Sequence, residues 1–270
     1  MRPLILAFQF LTIVPVKVSG GVAGKDLSRS AAFFPVVGAF LGLLAVVIAR
    51  LSLTVFPGDI ASALAITGLV LCNGGFHLDG LADTFDALAV KSVGDERADR
   101  ERRLAVMKGS ATGAIGVVSI VLVLLLKFLF MRELLTKTSA DAASSLLFLM
   151  PVFSKWIMVP SLYMGASARR DGLGKAFMDS VTLRTVAYAT LSLLLFCVIA
   201  ASLYLYKVFG PDTLALFSSL YFTFAVFSFM AVRFCTKRFG GLTGDMFGAM
   251  NEISEILFLL VTVLWLPRSI

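Results

Sequence analysis

Seven long apolar stretches most strongly constrain the fold of this 270-residue chain. They run near residues 33–55, 60–76, 112–131, 144–165, 185–206, 213–232 and 251–267. A helix needs about 20 apolar residues to cross a hydrocarbon core about 30 Å thick. The sequence therefore predicts an all-α fold, a polytopic membrane bundle of about seven transmembrane helices.

The composition agrees with a membrane protein. Of the residues, 59% are hydrophobic and 15% are charged, whereas a soluble domain has about 25% charged residues. No Pro-, Gly- or Ser-rich linker divides the chain, so we expect residues 1–270 to form one membrane-embedded domain. The short second stretch fits a plain span poorly, and so does the fourth, which contains Pro151, Lys155 and Pro160.

The 24 Lys and Arg residues are distributed unevenly among the connecting segments. Cytoplasmic loops carry an excess of these residues. The segments before residue 33 and at 77–111, 166–184 and 233–250 carry 17 in total, whereas the alternating segments carry four. We therefore place the N-terminus in the cytoplasm and the C-terminus outside. The net charge of +7 reflects this orientation, and we expect no nucleic-acid partner.

The acid-rich segment from Gly74 to Asp86, GGFHLDGLADTFD, is the most informative polar motif. In a helix, Asp79, Asp83 and Asp86 share an arc of about 60°. Stacked like charges repel each other, and a divalent cation relieves the repulsion. Mg²⁺ favours a few carboxylates together with phosphate oxygens. The alternative is a solvated helix face at the membrane surface.

His77, the only histidine of the chain, precedes these acids. A histidine at this place is a candidate general base or a hydrogen-bond donor to phosphate. The alternative is a structural role. We expect His77 and Asp83 to be the catalytic candidates.

A second polar motif, KRFGGLTGD, runs from Lys237 to Asp245 and continues towards Glu252. Basic residues before a glycine-rich helix start suit an anion, because unpaired amides and the helix dipole point at it. Close helix packing through small residues is the alternative. The candidate phosphate-binding residues here are Lys237, Arg238, Gly241, Thr243 and Glu252.

A third motif, ARRDGLGK at 168–175, and the segment around Lys108 combine cations with glycines. Arg169, Arg170, Lys175 and Lys108 are therefore further phosphate-binding candidates. The alternative is that these cations only orient the loops in the membrane. Carboxylates for a metal and cations for phosphates are the components of metal-assisted phosphoryl transfer.

The motifs GGFHLDGLADTFDAL and GGLTGDMFGAMNEISE resemble the cobalamin synthase family, adenosylcobinamide-GDP ribazoletransferase. Shorter segments in the same order also match, including MKGSATGAIGV and ARRDGLGKAF. The resemblance implies a multi-pass enzyme of the bacterial inner membrane with its active site facing the cytoplasm. It would join α-ribazole, or its 5′-phosphate, to adenosylcobinamide-GDP and release GMP, with Mg²⁺ as cofactor, in the last assembly step of adenosylcobalamin.

The resemblance also implies residue roles. Asp79, Asp83, Asp86 and Asp245 would hold Mg²⁺ against the diphosphate, and the cations named above would neutralise phosphate charge. One departure is that the family commonly has Asp and Arg where this chain has Gly109 and Ala111. An acid and a cation of the family pattern are therefore missing here.

Two other functions stay open at this stage. A CDP-alcohol phosphotransferase also carries an Asp-Gly-x-x-Ala motif, but here Asp83 directly follows Ala82, which departs from that pattern. A cation-coupled transporter would hold its ionisable residues near the bilayer midplane, and Lys155 in the fourth stretch fits that pattern. The lipid bilayer is an expected partner in every case, and the sequence is compatible with a homo-oligomer.

Overall fold

The computed structural model describes residues 1–16, 18, 20–109, 111–206 and 210–266. Within them the chain forms helices and no strand. The helices are α1 (Arg2–Leu11), α2 (Gly24–Ala31), α3 (Phe34–Leu53), α4 (Gly58–Cys72), α5 (Phe76–Leu88), α6 (Glu96–Val106), α7 (Ala114–Lys137), α8 (Ala140–Met164), α9 (Leu173–Ser180), α10 (Leu183–Ala200), α11 (Asp212–Phe239) and α12 (Gly244–Trp265). A π-helical turn, Ala201–Leu205, extends α10.

Six helices in the described part of the chain are long and apolar enough to cross a membrane, namely α3, α7, α8, α10, α11 and α12. Helices α4 and α5 are together long and apolar enough to cross a membrane, but the pair is bent by 87°. The described part of the chain therefore has up to seven spans. This confirms the predicted all-α polytopic fold. Lys17, Ser110, Lys207, Arg268 and the last residue of the predicted 251–267 span lie outside the described residues.

The second predicted span, 60–76, differs most from the structure. Helix α4 ends at Cys72, and Gly74 and Gly75 follow with φ of 65° and 72°. Glycine adopts this left-handed backbone without a side-chain clash. The Asn73 side chain accepts a hydrogen bond from the Gly75 amide at 3.0 Å. The chain therefore turns sharply here, and α5 leaves the direction of α4.

Helix α8 forms the centre of the bundle, although its prolines made it look like a poor span. Of the residues in its apolar stretch, 89% are buried, and the helix contacts α3, α10, α11 and α12. In contrast, less than a third of the residues in the apolar stretches of α7, α10 and α11 are buried, and these helices expose many Leu, Val and Phe side chains. Those side chains form the surface expected to contact lipid.

The segments that carry most of the positive charge meet at one end of the bundle. Ala168 donates its amide to the Leu242 carbonyl at 2.9 Å, and Leu242 donates to Ala166 at 2.8 Å. The Arg103 side chain donates to the Arg238 carbonyl at 2.9 Å. The second and third polar motifs are therefore neighbours in space, and α6 contacts the second.

Candidate functional site

A cleft of about 510 Å³ opens at this end of the bundle, between α1, α5, α9, α12 and the 165–172 segment. It contains residues from all three predicted polar motifs. Six predicted site residues line it: His77, Asp79, Arg169, Lys175, Thr243 and Asp245. The fold thus combines an acidic helix, a basic loop and a helix start in one cavity.

Close packing of α5 on α12 places the acidic motif beside Asp245. A Cβ on Gly80 of α5 would lie 2.5 Å from the Asp245 carbonyl oxygen. A Cβ on Gly248 of α12 would lie 3.1 Å from the His77 backbone. A side chain at Gly80 would clash with the α12 backbone, and one at Gly248 would be tightly packed, so Gly248 serves close helix packing as the alternative interpretation of the second motif expects.

Arg169 and Asp245 form the central ion pair of the cleft. The Arg169 Nη2 atom lies 3.0 Å from Asp245 Oδ2, and both side chains remain about a quarter exposed. The same guanidinium donates to the Met107 carbonyl at 3.3 Å, and the Thr243 hydroxyl donates to Asp245 Oδ2 at 3.2 Å. The cation is therefore held in position while part of it stays accessible to an anion.

The acids around this pair repel one another. Asp83 does not line the cleft; it is half-buried and lies within electrostatic reach of Asp79, Asp245 and Asp86, with Arg169 as a countercharge. Within the described residues, no three acid, His or Cys side chains are already arranged to hold a metal ion. A cation here would need oxygen ligands from a bound substrate as well as from the protein.

Asp86 has the contacts of a helix cap. Its carboxylate accepts the Gly113 amide at 2.6 Å and the Gly116 amide at 2.7 Å, both at the start of α7. These amides have no partner within their own helix. Asp86 therefore stabilises the start of α7, and a metal-binding role for it remains a prediction.

His77 lies at the inner end of the cleft. Its side chain is 5% exposed, and Nδ1 has no hydrogen-bond partner among the described residues. A buried polar atom without a partner is costly. The hydrogen-bonding capacity of this nitrogen is thus unused among the described residues, and a catalytic role for His77 stays a prediction.

Several predicted binding residues do not line the cleft. Arg170, Lys108, Lys237 and Arg238 are exposed at the same end of the bundle. Gly241 is buried, and a Cβ on it would lie 2.5 Å from the Ala166 carbonyl oxygen. Gly241 therefore allows two loops to pair, which is a packing role.

Glu252 lies inside the bundle and does not reach the cleft. It is 2% exposed, and Oε2 accepts a hydrogen bond from Lys127 of α7 at 2.6 Å. Its distance from the cleft follows from its position two helical turns below Asp245. Glu252 is therefore separated from the predicted site residues that line the cleft, and its role in binding substrate or phosphate stays a prediction.

The cleft also has an aromatic wall that the motif analysis missed. Phe10, Phe34 and Phe177 line it, with ring centroids 4.7 Å to 5.9 Å apart. They come from α1, α3 and α9, so no local spacing relates them. One side of the cleft is thus charged and the other is apolar and aromatic.

Comparison with known proteins shows the family of this chain. Residues 3–263 match the family described as cobalamin-5-phosphate synthase. The chain is 36% identical over 261 residues to the adenosylcobinamide-GDP ribazoletransferase of Thermodesulfovibrio yellowstonii, covering 96% of this chain and 95% of that protein.

Two further relatives carry the same name. The protein from Geotalea daltonii is 36% identical over 263 residues, covering 97% of each chain. The one from Pseudomonas putida W619 is 37% identical over 257 residues, covering 95% of this chain and 96% of that one. No solved structure matches this chain. The resemblance found in the motifs is confirmed, and the chain belongs to the cobalamin-5-phosphate synthase family.

Proposed function

We propose that this protein is an adenosylcobinamide-GDP ribazoletransferase that completes the assembly of adenosylcobalamin. Relatives that match this chain over nearly their full length carry that name. The observation that carries the proposal is the cleft in which Asp79, Arg169 and Asp245 from three separate motifs come together, a charged lining suited to a diphosphate. Membership in the family does not favour a CDP-alcohol phosphotransferase or a transporter.

The acceptor in this proposal is α-ribazole or its 5′-phosphate. A ribose hydroxyl oxygen forms a bond to the phosphorus attached to cobinamide. The bond from that phosphorus to the bridging oxygen breaks, and this oxygen leaves with GMP. The hydroxyl proton passes to His77, which lines the cleft, or to the carboxylate of Asp83, which lies one helical turn after Asp79 on α5.

Arg169 has the position to stabilise charge that develops on the transferring phosphoryl group. Asp245 and the Met107 carbonyl hold its guanidinium in place before substrate binds. A preorganised donor of this kind costs no rearrangement during the reaction. Lys175, which lines the same cleft and is paired with Asp179, places a second cation near the diphosphate.

The donor set fits Mg²⁺. Asp79 is exposed at the cleft, and Asp83 and Asp245 are its acidic neighbours. Mg²⁺ usually takes one or two carboxylates and completes its shell with waters and substrate phosphates, so a preformed cage of three acids is not required. Bound Mg²⁺ would neutralise phosphate charge and orient the diphosphate.

The proposed location is the bacterial inner membrane, with the cleft facing the cytoplasm. The excess of Lys and Arg in the segments around the cleft supports this orientation. Asp79 follows the bend after α4, and Asp245 lies in the first turn of α12. Both acids are thus at helix ends, where nucleotide substrates have access.

The test is an assay of the purified protein with adenosylcobinamide-GDP, α-ribazole and Mg²⁺, with the corrinoid product and GMP both quantified. We expect Asp83→Asn to lower turnover by about 100-fold, the lower range for losing a catalytic acid or base. The matched control is Asp212→Asn, an exposed carboxylate at the opposite end of α11. No product from the wild type, or equal turnover by Asp83→Asn, would contradict the proposal.

The metal is tested separately by replacing Mg²⁺ with chelator and then titrating Mg²⁺ back. Asp79→Asn should raise the Mg²⁺ concentration that gives half-maximal rate, and Asp212→Asn should not. Full activity in chelator would contradict the proposed Mg²⁺ requirement but not the proposed transferase function.

A further inference from the structure

A second cavity, of about 1,120 Å³, lies on the other side of α9 from the cleft. Helices α2, α9 and α10 form most of its wall. Lys175 and Phe177 of α9 line the cleft, whereas Asp179 and Ser180 line this second cavity. The two cavities therefore share one short helix but have separate linings.

Three cations line this cavity: Lys25, Arg29 and Arg184. All three are exposed, and in the described part of the chain none lies within ion-pair distance of a carboxylate. Asp179, the acid in the lining, is paired with Lys175. The cavity thus presents an uncompensated positive charge, which attracts an anion.

The cavity has a fixed frame. The Ser28 hydroxyl of α2 and the Thr185 hydroxyl of α10 are 2.8 Å apart. Thr182 caps the start of α10 by accepting the Thr185 amide at 3.4 Å. Because these contacts join α2 to α10, Arg29 and Arg184 are held on facing walls of one cavity.

The apolar part of the lining continues onto the membrane surface of the protein. Leu183, Tyr188 and Leu191 of α10 line the cavity and are 65%, 64% and 64% exposed. Helix α10 is one of the spanning helices. The cations therefore lie at the end of a span, directly above side chains that face the lipid chains.

We propose that this cavity binds an anionic phospholipid, with its headgroup phosphate between Lys25, Arg29 and Arg184 and an acyl chain along Tyr188 and Leu191. Basic pockets between spanning helices recognise acidic lipid headgroups, and an amphipathic tyrosine suits the boundary between headgroups and chains. A free anion would neutralise the three cations but would make no contact with the exposed apolar side chains of the lining. The proposal is independent of the transferase activity.

The test is native mass spectrometry of the full-length protein, purified in detergent and incubated with phosphatidylglycerol, phosphatidylcholine or inorganic phosphate. The variant is Lys25→Gln/Arg29→Gln/Arg184→Gln. The matched control is Arg97→Gln/Arg100→Gln/Arg102→Gln, which removes three cations from α6 outside the cavity, of which Arg97 and Arg102 are exposed and Arg100 is half-buried. Size-exclusion profiles verify that both variants remain folded.

We expect wild type and control to bind one phosphatidylglycerol, and the cavity variant to bind it at least about 10-fold more weakly, since each cation near an anionic lipid contributes to affinity. Phosphatidylcholine should bind at least about 10-fold more weakly to wild type, because its headgroup has no net charge. Equal binding of phosphatidylglycerol by the cavity variant, or equal binding of both lipids by wild type, would overturn the proposal. So would displacement of phosphatidylglycerol by inorganic phosphate, which would assign the cavity to a soluble anion.

Discussion

Lys127 of α7 donates hydrogen bonds to Glu252 and Glu255 of α12, each at 2.6 Å, inside the helix bundle. On the other side of Glu255, Lys155 of α8 lies 3.9 Å from Oε1 and donates to Asn251 at 2.6 Å. Two cations and two acids thus balance each other away from water. Charges within a membrane bundle persist only when paired in this way, so the network fixes α7, α8 and α12 relative to one another.

This network predicts that Lys127→Met will strongly destabilise the protein. The substitution leaves two buried acids with one cation, and breaking a buried pair costs about 3–5 kcal/mol. We expect the apparent unfolding midpoint of the detergent-solubilised protein to fall by at least about 6 °C. Thermal unfolding followed by fluorescence measures the change.

The control is the double variant Lys127→Met/Glu252→Gln, in which Lys155 and Glu255 still balance. It should recover at least half of the lost midpoint, because no charge is left uncompensated. If the double variant is as unstable as the single one, lost packing and not unbalanced charge explains the effect.

The contact between α5 and α12 gives a second prediction. In Gly80→Ala the new Cβ would lie 2.5 Å from the Asp245 carbonyl and 2.9 Å from its Cα. The backbones must separate, at a cost of about 1–3 kcal/mol, and both the unfolding midpoint and transferase activity should fall. Gly244→Ala meets no atom within 4 Å and should keep its midpoint. Equal midpoints for the two variants would show that α5 and α12 can separate freely.

The sequence was enough to predict the six long apolar helices, but not the short helices or the bend between α4 and α5. Apolar length predicts spans directly, and the alternating Lys and Arg counts predict that the three motifs share one side. The motifs then meet in one cleft because α5 packs on α12 and residues 166–168 pair with Leu242. Residues such as Asp79, Arg169 and Asp245 could therefore be found from local pattern alone.

The parts that the sequence did not predict depend on contacts between distant residues. Lys127 is 125 positions from Glu252, and no pattern within either span reveals the partner. Asp86 lies on the same face of α5 as Asp79 and Asp83, yet its carboxylate accepts hydrogen bonds from amides at the start of α7. The aromatic wall likewise takes one residue from each of three helices. Such contacts are set by tertiary packing, which a single sequence does not record.

The role of Asp86 as a cap gives a third prediction. Asp86→Ala removes the acceptor of the Gly113 and Gly116 amides, and loss of a helix cap costs about 0.5–2 kcal/mol. We expect a lower unfolding midpoint and an unchanged Mg²⁺ requirement in the assay. Asp83→Asn should show the reverse, a lower rate with a nearly unchanged midpoint. An increased Mg²⁺ requirement in Asp86→Ala would make Asp86 a metal ligand after all.

The neighbouring residues Arg169 and Arg170 give the sharpest test of the cleft, because they have the same side chain in the same loop. Arg169 lines the cleft and is paired with Asp245, whereas Arg170 is exposed and outside the lining. Arg169→Gln should lower turnover by about 100-fold, as for loss of one preorganised donor to developing charge. Arg170→Gln should change it by less than about 3-fold, since exposed charges away from a site contribute little.

Turnover and half-saturation are measured for both variants in the purified assay. Equal losses would show that the positive charge of the loop as a whole attracts the substrate, in which case raising the salt concentration should weaken the wild type in the same way. A loss confined to Arg169→Gln, and insensitive to salt, assigns the effect to the position of one guanidinium. Arg169→Lys then separates charge from geometry, because an ammonium keeps the charge but not the planar fork that reaches Asp245 and Met107 together.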